Sequence, residues 1–309
     1  MRISLPEEFK FIENKKAKQK KSEASMKGKL TLITGTTSGV GLEILKQVSK
    51  GQGDSIVICR NKEKMEAIKA ELVNKYNINI DIYIADFKEL DSVAKVAREI
   101  NRKYKKIDVL INNVGMHSTT KKYTKEGYEE VFCVNHLASF LLTNLLLNKL
   151  IESAPARIIQ INSEGHRFNG LSIDDINWKK RLYTGLRGYG ASKTAQLLTM
   201  WEFVEKLKGT GVTINAVHPG DVRTNVGSNN GWLYRWFLHH VTWHSLKEVY
   251  ISGEAVYYLI ADNEVQGVSG KFFNLTIEEK PAPHTLNREL GKKVWDASIK
   301  MIGLDSKSK

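Results

Sequence analysis

The chain has 309 residues, 41% of them hydrophobic, and a formal net charge of +13 at pH 7. That much apolar material can bury a large core, which excludes disorder of the whole chain. The longest apolar stretches, Phe140-Leu141-Leu142 and Leu145-Leu146-Leu147, are broken by Thr143 and Asn144 well short of a bilayer span, so no transmembrane helix is expected.

Much of the charge gathers at Lys15, Lys16, Lys18, Lys20, Lys21, Lys27 and Lys29. Residues 1–27 are therefore read as a basic, flexible tail, with binding to anionic lipid as the other reading. No arginine and aromatic interleaving of the kind that stacks bases accompanies the lysines, and no nucleic-acid partner is expected. The first residues lack the apolar core and small-residue cleavage site of a secretory signal. Cys59 and Cys133 sit in apolar segments, as buried thiols of a reducing compartment would, and a cytoplasmic location follows. The sequon Asn274-Leu275-Thr276 is then a coincidence.

From residue 29, short β-branched runs alternate with longer helical patterns. Strands are expected at 30–34, 55–59, 80–85, 107–112, 157–162, 212–217 and 271–274, and helices at 62–76, 90–103, 127–152 and 188–208. Most of the strands are near-continuous apolar runs, as required when helices cover both sheet faces. Repeated strand-helix-strand units imply an α/β fold with a doubly wound parallel sheet of the Rossmann type, one domain over 28–305, and a short tail at 306–309.

Thr34-Gly35-Thr36-Thr37-Ser38-Gly39-Val40-Gly41 follows the first strand and opens a helix. Glycines let the backbone approach a pyrophosphate, and the helix start offers free N–H groups. No Lys-Ser/Thr pair follows the final glycine, which argues against a phosphate-transferring P-loop. The second strand ends at Arg60, where an acidic residue would serve the ribose hydroxyls of NAD. A guanidinium there pairs with a 2′-phosphate, so NADP(H) is expected over NAD(H), the other reading being a basic residue at a strand edge. Tyr189 and Lys193 stand four apart at a helix start and project from one face.

With these motifs stand Ile84-Ala85-Asp86-Phe87, Asn112-Asn113-Val114-Gly115, Val134-Asn135-His136-Leu137, Ile161-Asn162-Ser163, Tyr189-Gly190-Ala191-Ser192-Lys193 and Val217-His218-Pro219-Gly220 with Thr224. Over residues 28–304 the chain resembles the short-chain dehydrogenase/reductase family, most of all its retinol-dehydrogenase-like branch. The resemblance implies four catalytic residues. Tyr189 is the acid or base toward a carbonyl or alcohol, Lys193 lowers the phenol's pKa and holds the nicotinamide ribose, Ser163 holds the reacting oxygen, and Asn135 holds a relay water. For the cofactor it implies Gly35, Thr37, Ser38, Gly39, Val40, Gly41, Arg60, Asp86, Phe87, Asn112, Gly115, Tyr189, Lys193, Pro219, Gly220, Val222 and Thr224. Singly, Asp86 would serve equally as a helix cap, Asn112 as a turn residue and Pro219-Gly220 as a strand end. Val114, Asn162 and Asp221 depart from the family pattern, the second by replacing a common extra serine.

In residues 226–245, Trp232, Leu233, Trp236, Phe237 and Val241 approximate helical spacing where the family builds a helical substrate lid. A lipophilic small-molecule substrate is expected, with packing onto the body and shallow membrane contact as the other readings. Peripheral membrane contact through tail or lid stays open, as does a homodimer through the long helices. His239, His240 and His244 are not read as a metal site, because hydride transfer in the family needs no metal. The expected function is an NADP(H)-dependent oxidoreductase interconverting a carbonyl and an alcohol. The alternatives are a catalytically silent cofactor-binding regulatory protein, which would not need Ser163, Tyr189 and Lys193 intact, and a nucleotide-binding methyltransferase.

Overall fold

The computed structural model describes residues 17–220 and 249–304. Strand and helix alternate as β1 (Leu30–Thr34), α1 (Gly39–Lys50), β2 (Asp54–Cys59), α2 (Lys62–Tyr76), β3 (Ile80–Ile84), α3 (Leu90–Lys103), β4 (Val109–Asn112), α4 (Glu130–Glu152), β5 (Ala156–Ile161), α5 (Gly185–Leu207) and β6 (Val212–His218). After residue 249 come α6 (Tyr250–Ala261), β7 (Phe272–Asn274), β8 (Ile277–Glu279) and α7 (Arg288–Met301). The strands form one sheet in the order β3-β2-β1-β4-β5-β6-β7-β8, with β1 to β7 parallel and β8 antiparallel to β7. The doubly wound class expected from the sequence is the one observed; β8, α6 and α7 had no counterpart in that reading.

Two apolar layers explain the winding. On one face, α3, α4, α5 and α7 bury residues such as Val93, Ala97, Ile100, Leu142, Leu146, Phe203 and Trp295 against the sheet. On the other, α1, α2 and α6 bury Ile44, Leu45, Val48, Met65, Leu72, Val256 and Ile260. Each such aliphatic side chain contributes roughly 1.5–3 kcal/mol, so the layers dominate the stability. Local signals set the helix ends: Asn61 Oδ1 accepts from Lys64 N–H at 2.8 Å, and Asn77 ends α2 in the left-handed region. Glu130–Glu152 is, among the described residues, the one helix long and apolar enough to cross a membrane by length and composition, and 78% of its apolar window is buried in the fold.

Residues 17–27 lie along the fold. Gln19 Oε1 accepts from Thr276 N–H and Oγ–H at 3.0 and 2.8 Å, Tyr257 O–H donates to Ala24 O at 2.5 Å, and Met26 N–H donates to Gly51 O at 2.7 Å. The Met26 side chain is buried. Lys20 and Lys21 pair with Glu264 and Glu254 at 2.6 and 3.2 Å. Exposed pairs of this kind contribute about 0–1 kcal/mol, so the backbone bonds and Met26 hold the segment. Cys59 and Cys133 are both free and buried, and burial raises both thiols, Cys59 to about 11.

Candidate active site

Strands β1 to β6 end on one rim of the sheet, and β1 has β2 on one side and β4 on the other. Chain direction across the sheet reverses there, which opens a crevice beyond the strand ends. The chain crosses it through Gly35 (φ +75°) and Gly39 (φ +59°). A Cβ on Gly41 would lie 2.2 Å from Gly35 O and 2.4 Å from Asn113 Nδ2, so only hydrogen fits. Asn113 Nδ2 donates to Thr34 O at 2.8 Å and to Gly35 O at 3.1 Å, and the N–H groups of Asn113 and Val114 donate to Thr34 Oγ1 at 2.9 and 3.0 Å. Ser38, the residue before α1, makes no side-chain cap, and the first turn of α1 holds no acid. Uncapped N–H groups and the positive helix end therefore face the glycine turn. This cradle fits the pyrophosphate of a dinucleotide.

Thr37, Ser38, Gly39 and Val40 are partly exposed on the turn, Arg60 is exposed at the end of β2, and Gly115 is exposed beyond β4. Asp86 is partly buried, with Oδ1 accepting from Lys88 N–H at 3.0 Å. Two of the expected cofactor residues have buried side chains. Phe87 is buried in the core. Asn112 is 1% exposed and donates from Nδ2 to Thr143 Oγ1 at 2.8 Å, so it ties β4 to α4, and its neighbour Asn113 meets the cradle instead. Pro219 is buried, its carbonyl accepting from Ser252 Oγ–H at 2.6 Å, and Gly220 takes φ +88°. Asp221, Val222, Thr224, the aromatic run of 226–245 and its histidines lie outside the described residues. Among the described residues no cluster of three His, Cys, Asp or Glu side chains is placed to hold a metal ion.

Deeper in the crevice, Ser163 follows β5 and accepts from Gly165 N–H at 3.0 Å, which leaves its hydroxyl proton to be donated. Tyr189 is partly exposed at its surface yet deep in the fold. Burial raises its pKa, and a hydrogen bond with Ser163 opposes the rise. The lowering expected from Lys193 is corrected here. Lys193 Nζ lies 5.7 Å from the centre of the Tyr189 ring, on the expected side, but donates to Ile161 O at 2.9 Å and to Gln196 Oε1 at 3.1 Å. Burial depresses Lys193 itself to about 7. Each group is disfavoured in its charged form, so the phenol keeps its proton at neutrality.

Asn135 lies in a π-helical turn, Cys133–Leu137, within α4. Such a turn widens the helix and re-aims its polar groups. Asn135 is fully buried; Oδ1 accepts from Met116 N–H at 2.7 Å, and Nδ2 donates to Met116 O at 3.0 Å and Ser192 Oγ at 2.9 Å. His117, absent from the sequence expectation, faces the Tyr189 ring edge-on.

A dinucleotide cradle at the reversal point of a parallel sheet, with Ser163 and Tyr189 both next to Gly165 beside it, defines a nicotinamide-dependent oxidoreductase. The short chain dehydrogenase family model matches residues 29–231, and the chain belongs to that family, on its retinol-dehydrogenase-like branch. It is 35% identical to human retinol dehydrogenase 13, over 93% of this chain and 88% of that protein. It is 33% identical to human retinol dehydrogenase 14, over 90% and 88%. Among solved structures, a protein of Mycobacterium paratuberculosis superposes with a TM-score of 0.72 at 23% identity, covering 91% of this chain and 95% of that one. A Shigella flexneri short chain dehydrogenase complexed with NADP gives 0.65 at 18% identity, over 82% and 99%. The chain is accordingly an oxidoreductase of alcohols and carbonyls on a fold that binds NAD(P).

Proposed function

We propose that the protein is an NADP(H)-dependent oxidoreductase that interconverts a carbonyl and an alcohol on a lipophilic small molecule, using Ser163, Tyr189, Lys193 and Asn135. The observation that carries the reading is the placement of Ser163 and Tyr189 around Gly165: Ser163 Oγ accepts from Gly165 N–H at 3.0 Å, and a Cβ on Gly165 would lie 2.5 Å from Tyr189 Cε1 and 3.3 Å from Ser163 Oγ. A serine so placed directs its proton at a substrate oxygen, where negative charge develops. Tyr189, its pKa raised by burial, holds a proton at neutral pH and donates it to that oxygen during reduction. Lys193, beside Gly115, orients the sugar that the cradle brings to it, and Asn135 ties the segment after β4 to α5 through Met116 and Ser192. When bound, the nicotinamide supplies or accepts the hydride.

Arg60, exposed at the end of β2 with no acid in the first turn of α1, supports NADP(H) over NAD(H). The names of the retinol dehydrogenases support a lipophilic alcohol or aldehyde as substrate. The test is a panel of apolar aldehydes, ketones and alcohols assayed with NADPH and with NADH by nicotinamide absorbance. Turnover with NADPH on apolar carbonyls is the expected result; a clear NADH preference overturns the cofactor, and turnover confined to charged substrates overturns the substrate class.

A further inference from the structure

One turn beyond Lys193 on α5 stands Gln196, 3% exposed. Its Oε1 accepts from Lys193 Nζ and from Asn162 Nδ2, each at 3.1 Å, and its Nε2 donates to the backbone carbonyl of Asn135 at 2.6 Å. Asn162, 2% exposed at the end of β5, also donates to Lys193 O at 3.0 Å and accepts from Ser163 N–H at 2.8 Å. Ser139 Oγ–H donates to the same Asn135 carbonyl at 3.0 Å. Both lone pairs of Gln196 Oε1, and both of the Asn135 carbonyl, are thus engaged.

We infer that Gln196 is a positioning residue for Lys193: with Asn162 and Asn135 it forms a clamp that fixes the ammonium against the Ile161 carbonyl. A carboxamide holds its protons firmly, so the clamp orients Lys193 and does not carry protons. Two of the three ammonium donors are used, on Ile161 O and Gln196 Oε1, which directs the third toward the crevice beside Gly115. Asn162 is also where the chain departs from its family pattern, and its side chain donates to Gln196 Oε1.

Burial alone depresses Lys193, so one hydrogen bond weighs heavily on its charge at neutrality. The ionisable groups on the elements around it are engaged elsewhere. Tyr189 lies against Gly165, His117 packs on the Tyr189 ring, and His136 bonds with Ser298. His166 bonds with Ser163 O and Ala282 N–H, Glu164 pairs with Arg167, and His218 acts on Glu164.

The catalytic meaning of the clamp rests on the oxidoreductase reading; its existence does not. Lysine side chains labelled with 13C at Cε, with the Lys193 signal assigned by its loss in Lys193→Met, report this ammonium's titration directly. In Gln196→Leu the midpoint falls by about one pH unit or more, the size of one lost charge-assisted hydrogen bond. In Gln196→Glu, where a carboxylate replaces the amide oxygen, it rises above that of the wild type. Asn162→Ser removes an anchor of the clamp without touching Lys193 Nζ, and shifts the midpoint in the direction of the leucine variant should that variant not fold. Midpoints equal to the wild type in the folded variants overturn the inference. Shifted midpoints in a protein that reduces no carbonyl leave the clamp standing and remove the oxidoreductase reading, whereas turnover with unshifted midpoints does the reverse.

Discussion

The imidazole of His117 meets the ring of Tyr189 edge-on, with centroids 5.7 Å apart and planes inclined by 68°. Burial lowers the His117 pKa, so the ring is neutral at pH 7 and acts as a wall. An edge-to-face contact contributes about 0.5–1.5 kcal/mol, equivalent to roughly 2- to 12-fold in a rate that depends on ring placement. His117→Ala is expected to lower kcat by that factor and His117→Phe to restore it, both at pH 7. Equal kcat values in the two variants would show that the contact does not position Tyr189.

Gly165 gives Tyr189 its space. A Cβ there would lie 2.5 Å from Tyr189 Cε1 and 2.7 Å from Cδ1. Gly165→Ala must therefore displace the ring, and a displacement of about 1 Å costs on the order of 100-fold in turnover. The cradle is untouched, so NADPH affinity, read by fluorescence titration, stays within about twofold. Tyr189→Phe is expected to behave alike in binding and to lose turnover further, because the proton donor itself is gone. Wild-type turnover in either variant would remove Tyr189 from the chemistry.

Arg60 is exposed at the end of β2, on the rim where the cradle lies. A charge-assisted hydrogen bond to a 2′-phosphate contributes about 1.5–3 kcal/mol, or roughly 10- to 150-fold. Arg60→Ala should reduce kcat/KM for NADPH by that factor while leaving NADH within about threefold. A parallel loss with both cofactors would assign Arg60 a role in the fold instead.

What the sequence made legible was whatever leaves a local signature. The β1 turn is readable because Gly35 and Gly39 need positive φ and Gly41 has no room for a Cβ, constraints that select glycine within seven residues. Tyr189 and Lys193 are readable from helical spacing. The Gln196 clamp draws on three elements, with Gln196 and Asn135 61 residues apart, and no local pattern marks it. The π-turn at Asn135 likewise answers to its surroundings: the apolar run of α4 reads as an unbroken helix. The different places of Asn112 and Asn113 escape a local reading for a related reason, since adjacent side chains at a strand end point to opposite sides, Asn112 to Thr143 and Asn113 to the glycine turn.

His136 and His166 make the fold sensitive to acid. His136 is buried between Phe132 and Phe140 and shares a 2.8 Å hydrogen bond with Ser298 Oγ. His166 accepts from Ala282 N–H at Nε2, so its Nδ1–H donates to Ser163 O at 2.7 Å. Burial depresses both to about 3, from 6.5. Below pH 6.5 the unfolded chain takes up a proton at each position and the native state does not, so stability falls as pH falls. The loss is about 1.4 kcal/mol per pH unit for each histidine and ends near pH 3, where the native rings also titrate. Urea unfolding between pH 7.5 and 4 measures it. His136→Gln keeps a polar partner for Ser298 and removes one titration, so its stability should decline less steeply with acid, by that same amount per unit. A slope equal to the wild type's would mean that His136 is already charged in the native protein, and that its place between the two phenylalanine rings does not exclude the proton.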